Sequence, residues 1–140
     1  MSIWFKPYTL ADLTARIGMA EHLGIEFTEL GPDYLRGRMP VDHRTHQPYG
    51  ILHGGASVAL AETLGSYGAM LTVDQSKYRC VGQEINANHI RGVSSGYVIG
   101  TARPVHIGRR SHVWEIRIVD ERDKLVCISR LTMAVIDAAG

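Results

Sequence analysis

Residues 47–71 read Q-P-Y-G-I-L-H-G-G-A-S-V-A-L-A-E-T-L-G-S-Y-G-A-M-L, and the rest of the chain is organised around them. Between Arg44 and Asp74 the only Lys, Arg, Asp or Glu is Glu62. From Gly54 onward there is no Pro and enough chain for about five helical turns, so the run predicts a helix. Val58, Ala61, Leu64, Gly65, Gly68 and Leu71 recur at three- and four-residue spacing, but apolar residues cover nearly the whole circumference. A helix that is apolar all round is normally buried. Gly costs about 1 kcal/mol against Ala inside a helix, so Gly65 and Gly68 imply close packing or a ligand.

Glu62 is the anomaly in this helix. Burying an unpaired charge is expensive, so its carboxylate is tied to a buried arginine or histidine, protonated, or facing a polar cleft. Ser66, four residues on, shares its face. Upstream, His53-Gly54-Gly55 opens the helix, where free backbone N–H groups and the positive end of the helix dipole suit an oxyanion. Gln47 on the preceding loop offers one more donor. A carboxylate and hydroxyl on the helix, with an oxyanion site at a helix start, point to acyl transfer. Gly54 and Glu62 are eight residues apart, about 12 Å along one helix. Both must lie within about 3 Å of the same reacting group, so serving one acyl group requires two helices and two protomers.

The 140 residues, 45% of them hydrophobic, make one domain with a real core, spanning 1–140. No apolar run approaches the ~18 residues of a membrane span, and the first residues do not read as a signal peptide, so the cytoplasm is the default. A net charge of +1 leaves no footprint for nucleic acid or membrane. Cys80 and Cys127 fall in strand-like runs and read as reduced core residues. His43 and His46 have no third ligand nearby, so no metal site is expected.

Along the chain, Thr9-Leu-Ala-Asp12 resembles a capping box and predicts a short helix to about residue 18. Residues 23–30 and 34–41 read as strands around the Gly31-Pro32-Asp33 turn. After the central helix come four strand candidates, 79–90, 97–105, 111–120 and 124–136, joined by short turns and therefore antiparallel. The long helix is the only large apolar element able to cover such a sheet. The expected class is α+β, an antiparallel sheet curled round one long helix.

L-H-G-G-A at 52–56 and A-E-T at 61–63 resemble the hotdog-fold acyl-CoA thioesterases, in the branch of the 4-hydroxybenzoyl-CoA thioesterase with its glutamate on the helix. Within that branch the chain is similar to the bacterial 1,4-dihydroxy-2-naphthoyl-CoA hydrolases and the enterobactin-pathway proofreading thioesterases. M-P-V-D at 39–42, R-T-H-Q-P at 44–48, E-I-N-A-N-H at 84–89 and S-R-L-T at 129–132 carry the likeness across the chain. The resemblance implies hydrolysis of an aromatic acyl-CoA without a cofactor, in a hotdog homodimer with shared sites, usually paired into a homotetramer. It implies Glu62 as nucleophile or general base, the Gly54 N–H polarising the carbonyl with Gln47, His53 orienting the loop or thiolate, and Ser66 positioning water. Gly82, His89, Ile90, Arg91 and Gly92 would line the coenzyme A channel, together with His106, Ile107, Gly108, Arg109, Arg110 and Ser111. The three arginines suit its phosphates. Tyr67 departs from the aliphatic residue of close relatives and alters the acyl pocket.

The alternatives are a proofreading thioesterase acting on acylated carrier protein, a hotdog hydratase, or a non-catalytic acyl-CoA sensor. A hydratase would carry a histidine five residues after its acid, where this chain has Tyr67. A sensor coupled to DNA would need a helix-turn-helix segment or a basic stripe, and neither is present.

Overall fold

The computed structural model describes residues 1–13 and 18–139. A 3-10 turn, Leu10–Asp12, precedes α1 (Met19–His22), β1 (Glu26–Leu30), β2 (Leu35–Pro40), α2 (Gly54–Thr72), β3 (Tyr78–His89), β4 (Tyr97–Ile107), β5 (Ser111–Val119) and β6 (Leu125–Asp137). The expected box at Thr9 is there: the Asp12 carboxylate accepts from the Thr9 N–H at 2.8 Å. It starts only one turn, however. Residues 14–17 of the expected helix lie outside the described residues, and α1 is a separate short helix behind Gly18.

The strands form one six-stranded sheet in the order β1-β2-β4-β5-β6-β3, with every neighbouring pair antiparallel. The fold is therefore the expected curled sheet with one long helix, but β3 does not form a hairpin with β4. Residues 90–96 cross the end of the sheet instead. Ile90 and Arg91 donate their N–H groups to the Val126 carbonyl, Leu52 donates to Val93, and Val41 donates to Gly96. These bonds anchor the crossing segment to β6, to the loop before α2 and to the end of β2.

The buried side of α2 carries Leu60, Ala61, Leu64, Gly65, Gly68 and Leu71 and packs on the inner face of the sheet. Close approach explains the glycines: a Cβ on Gly68 would lie 2.9 Å from the Trp114 ring, and one on Gly65 2.6 Å from Leu131. Leu64 reaches equally close to Gly37 on β2 and Gly100 on β4. Trp114 is fully buried and stacks on Trp4, 6.5 Å between centroids. The N-terminal segment is thus part of the core. The Trp4 indole donates to the Gly31 carbonyl at 2.7 Å, and the Phe5 N–H satisfies the Leu71 carbonyl at the end of α2. Cys127 is buried and Cys80 half-buried, both as free thiols, and burial pushes the Cys80 thiol up to about 11.

Within one chain the helix is not buried all round. Val58, Ala59, Glu62, Thr63, Ser66 and Tyr67 form a half-exposed face, because the single sheet covers only the opposite side. The sheet edges differ in the same way. β1 is short, bulged and guarded by the ion pairs Arg36–Glu29 (2.6 Å) and Arg38–Glu26 (3.4 Å). β3 runs for 12 residues with one edge free and Val81 exposed. A long unguarded edge beside an uncovered apolar helix face is the mark of an association surface.

Candidate active site

The loop before α2 is built rigidly. Arg44 grips Asp42 at 2.7 Å, and its hydrogen bonds hold the Asp42 carboxyl down at about 2. Buried Thr45 donates its hydroxyl to the Pro40 carbonyl, and the His53 N–H reaches the Thr45 carbonyl at 2.7 Å. His53 then caps the helix: its Nδ1 accepts from the Gly55 N–H at 2.8 Å, which places the ring proton on Nε2. No protein acceptor meets the Gly54 N–H among the described residues. Gly54 is also the closest approach of the helix to His89, where a Cβ would lie 2.9 Å from Nε2. Gln47 spends its side-chain oxygen on the Tyr49 N–H, so its amide donors remain open.

Gln47, Gly54, His89, Ile90, Arg91 and Gly92 thus line one cavity of about 320 Å³. Sequence reasoning missed Ser57, which is buried and lines it too. Its signal was available: it lies one turn beyond His53 on the face that carries Gly54.

Glu62 opens on a different cavity, of about 480 Å³, with Ser66, Tyr67, Val58, Met19 and Leu23. Its carboxylate rests against Gly82 of β3, and a Cβ there would collide with Oε2. The tied-down reading of Glu62 finds no support, since no hydrogen bond or ion pair to it exists among the described residues. Ser66 shares its face as expected, and among the described residues its hydroxyl meets only the weak Met133 sulfur acceptor, at 3.7 Å. Tyr67 packs on Phe27 with ring centroids 4.7 Å apart, which fixes one end of the cavity. Met19, Ala20, Leu23 and Ile25, which form the cavity's apolar wall, were not anticipated. Three of them fall at helical spacing between Gly18 and Gly24, a segment too short to stand out by periodicity.

The residues expected in one coenzyme A channel are split within a chain. His89, Ile90, Arg91 and Gly92 belong to the Gly54 cavity. Gly82 belongs with Glu62, seven residues and about 23 Å away along β3. His106, Ile107, Gly108, Arg109, Arg110 and Ser111 form the β4–β5 turn at the Gly82 end of the sheet. There Gly108 donates to Ser111, and Val135 donates to the Arg110 carbonyl. Ser111 faces Ala134 and His112 faces Met133, the residue opposite Gly82. Within one chain the open Gly54 N–H is therefore separated from the Glu62 carboxylate, which has no partner among the described residues.

The curled sheet round one long helix is the hotdog arrangement that the sequence resemblance implies for a thioesterase, and comparison with known proteins agrees. A model of the thioesterase superfamily matches residues 49–127. The proofreading thioesterase EntH of Cronobacter turicensis is 54% identical over 135 residues, covering 95% of this chain and 98% of that protein. The crystal structure of thioesterase HI1161 from Haemophilus influenzae superposes with a TM-score of 0.94 at 47% identity, covering 99% of this chain and 97% of that one. A mutant of thioesterase PA1618 from Pseudomonas aeruginosa gives a TM-score of 0.95 at 50% identity, covering 97% and 99%. The chain belongs to the thioesterase superfamily and is a thioester hydrolase.

Proposed function

We propose that the protein hydrolyses compact aromatic acyl-CoA thioesters in sites shared by two protomers, with Glu62 driving the attack. The observation that carries this reading is the Glu62 carboxylate at the wall of an apolar cavity, without a partner among the described residues. As base, Glu62 takes a proton from a water held by Ser66, and the water oxygen forms the new bond to the carbonyl carbon. As nucleophile, Glu62 bonds to that carbon itself, and a water then hydrolyses the resulting anhydride to the free acid. The Gly54 N–H and the Gln47 amide take the charge that develops on the carbonyl oxygen. The C–S bond then breaks, and coenzyme A leaves as the thiolate and collects a proton. No cofactor enters these steps.

The Gly54 and Glu62 cavities meet if β3 pairs antiparallel with its own copy. A dyad near Ile85 and Asn86, midway between Gly82 and His89, sets Gly82 of one chain opposite the partner's His89. Gly82 carries Glu62 beside it, and His89 carries Gly54. The arrangement also covers the free β3 edge and the open face of α2. Two such dimers would make the tetramer.

Arg91 and the Arg109-Arg110 turn then flank the site from different chains and hold the coenzyme A phosphates. Neutralising them to Gln is expected to raise KM for CoA thioesters about tenfold while kcat holds, the result of losing binding shared by ground and transition states. An unchanged KM at moderate salt would assign these arginines to solvent.

Hydrolysis measured on a panel of benzoyl-type CoA thioesters, palmitoyl-CoA and acylated carrier protein tests the substrate. The highest kcat/KM is expected on the aryl-CoA members. A higher value on palmitoyl-CoA overturns the aromatic assignment. A higher value on acylated carrier protein moves the protein to proofreading, the role named in its EntH relatives.

A further inference from the structure

Tyr49 has no function in the site as described so far, yet it is the most conspicuous side chain near it. Its ring is 90% exposed. The backbone that presents it is nevertheless fixed. Tyr49 donates its N–H to the Gln47 side chain, Gly50 donates to the Gln47 carbonyl at 2.9 Å, and Gln47 donates to Ile51 at 2.8 Å. Gly50 sits at φ 79°, where an L side chain would be strained, so the turn is built to hold this shape. A large aromatic ring held in water on a closed turn, two residues from a catalytic donor, is a contact awaiting its partner.

The complementary feature is the cavity around Glu62. It is walled by Met19, Leu23, Val58 and Tyr67 but open to solvent on the α2 face, and Met19 on its rim is 66% exposed. If β3 pairs about the dyad proposed above, the Gln47 turn, which shares the cavity of Gly54 and His89, comes to the side of the partner's Glu62 cavity. Gln47 lines the cavity against His89, and Tyr49, two residues on, is exposed to solvent. We propose that Tyr49 of one protomer closes the acyl cavity around the partner's Glu62 and selects the acyl group by packing against it, opposite the partner's Met19. This rests on the shared-site reading above. The aromatic face and the Met19 thioether are natural neighbours, and a flat acyl ring fits between Tyr49 and Tyr67.

Two experiments separate this proposal from the reading beneath it. In Tyr49→Ala, the ratio of kcat/KM for benzoyl-CoA over acetyl-CoA is expected to fall about tenfold, carried by KM, and Tyr49→Phe should restore it. An equal loss on both substrates, or none, overturns the selecting role. Independently of activity, a Tyr49→Cys chain and a differently tagged Met19→Cys chain, both with Cys80→Ser, are co-assembled and treated with a short bismaleimide. A covalent heterodimer of mixed mass is expected, also when both chains carry Glu62→Gln. Its absence in proven mixed assemblies overturns the placement of Tyr49. Loss of all CoA thioesterase activity in the wild type would instead sink the function and leave the cross-link result standing.

Discussion

Glu62→Gln is expected to lower kcat about a thousandfold, the scale of a lost general base or nucleophile, while KM, assembly and thermal stability stay near wild type. The side chains match in size, so packing against Gly82 and Val58 survives. No hydrogen bond or ion pair to Glu62 exists among the described residues, so nothing structural is removed with the charge. A structural glutamate behaves in the opposite way: replacing it strands a buried partner and costs several kcal/mol, visible as a lower Tm. Steady-state kinetics with a thermal melt therefore distinguish the two roles in one experiment. A kcat within tenfold of wild type would remove Glu62 from the chemistry.

The central helix was readable from the sequence because its signal is strong: one charge in nearly thirty residues, no Pro, and small residues where other atoms come close. Its start at Gly54 followed from His53 and the two glycines, and its packing glycines proved to face Trp114 and Leu131. Two things escaped for physical reasons. Hydrophobic content cannot tell a face covered by the chain's own sheet from one left open, so α2 read as buried all round. Strand propensity likewise says nothing about which strand pairs with which. The pairing of β3 with β6 depends on how residues 90–96 bond to Val126, Leu52 and Val41, contacts distant in sequence. Met19 escaped because a four-residue helix is too short to show a period, and Leu23 and Ile25 because they read as the start of a strand that begins only at Glu26.

Two chains that are each inactive are expected to regain activity when mixed. One carries Glu62→Gln. The other carries Gly54→Pro, which deletes the N–H proposed to hold the oxyanion at the first helical position, where Pro is well tolerated. His53 before it is already extended at φ −67°, ψ 131°, as a residue preceding Pro requires. A Cβ at this position meets the far end of the flexible His89 side chain rather than backbone. Loss of one such donor alone should cost about a hundredfold or more in kcat. If each site takes Gly54 from one chain and Glu62 from the other, a mixed dimer holds one site with both groups intact and one with neither. Random reassociation of equal amounts puts half the dimers in the mixed state, so total activity should recover to about one quarter of wild type. A site contained within one chain predicts no recovery, because every chain lacks one of the two groups. The roughly 12 Å between Gly54 and Glu62 on a single helix argues against that outcome, since a glutamate side chain leaning back toward the N-terminus spans only part of it. Mass spectrometry of differently tagged chains establishes exchange, and exchange without activity would overturn the shared site.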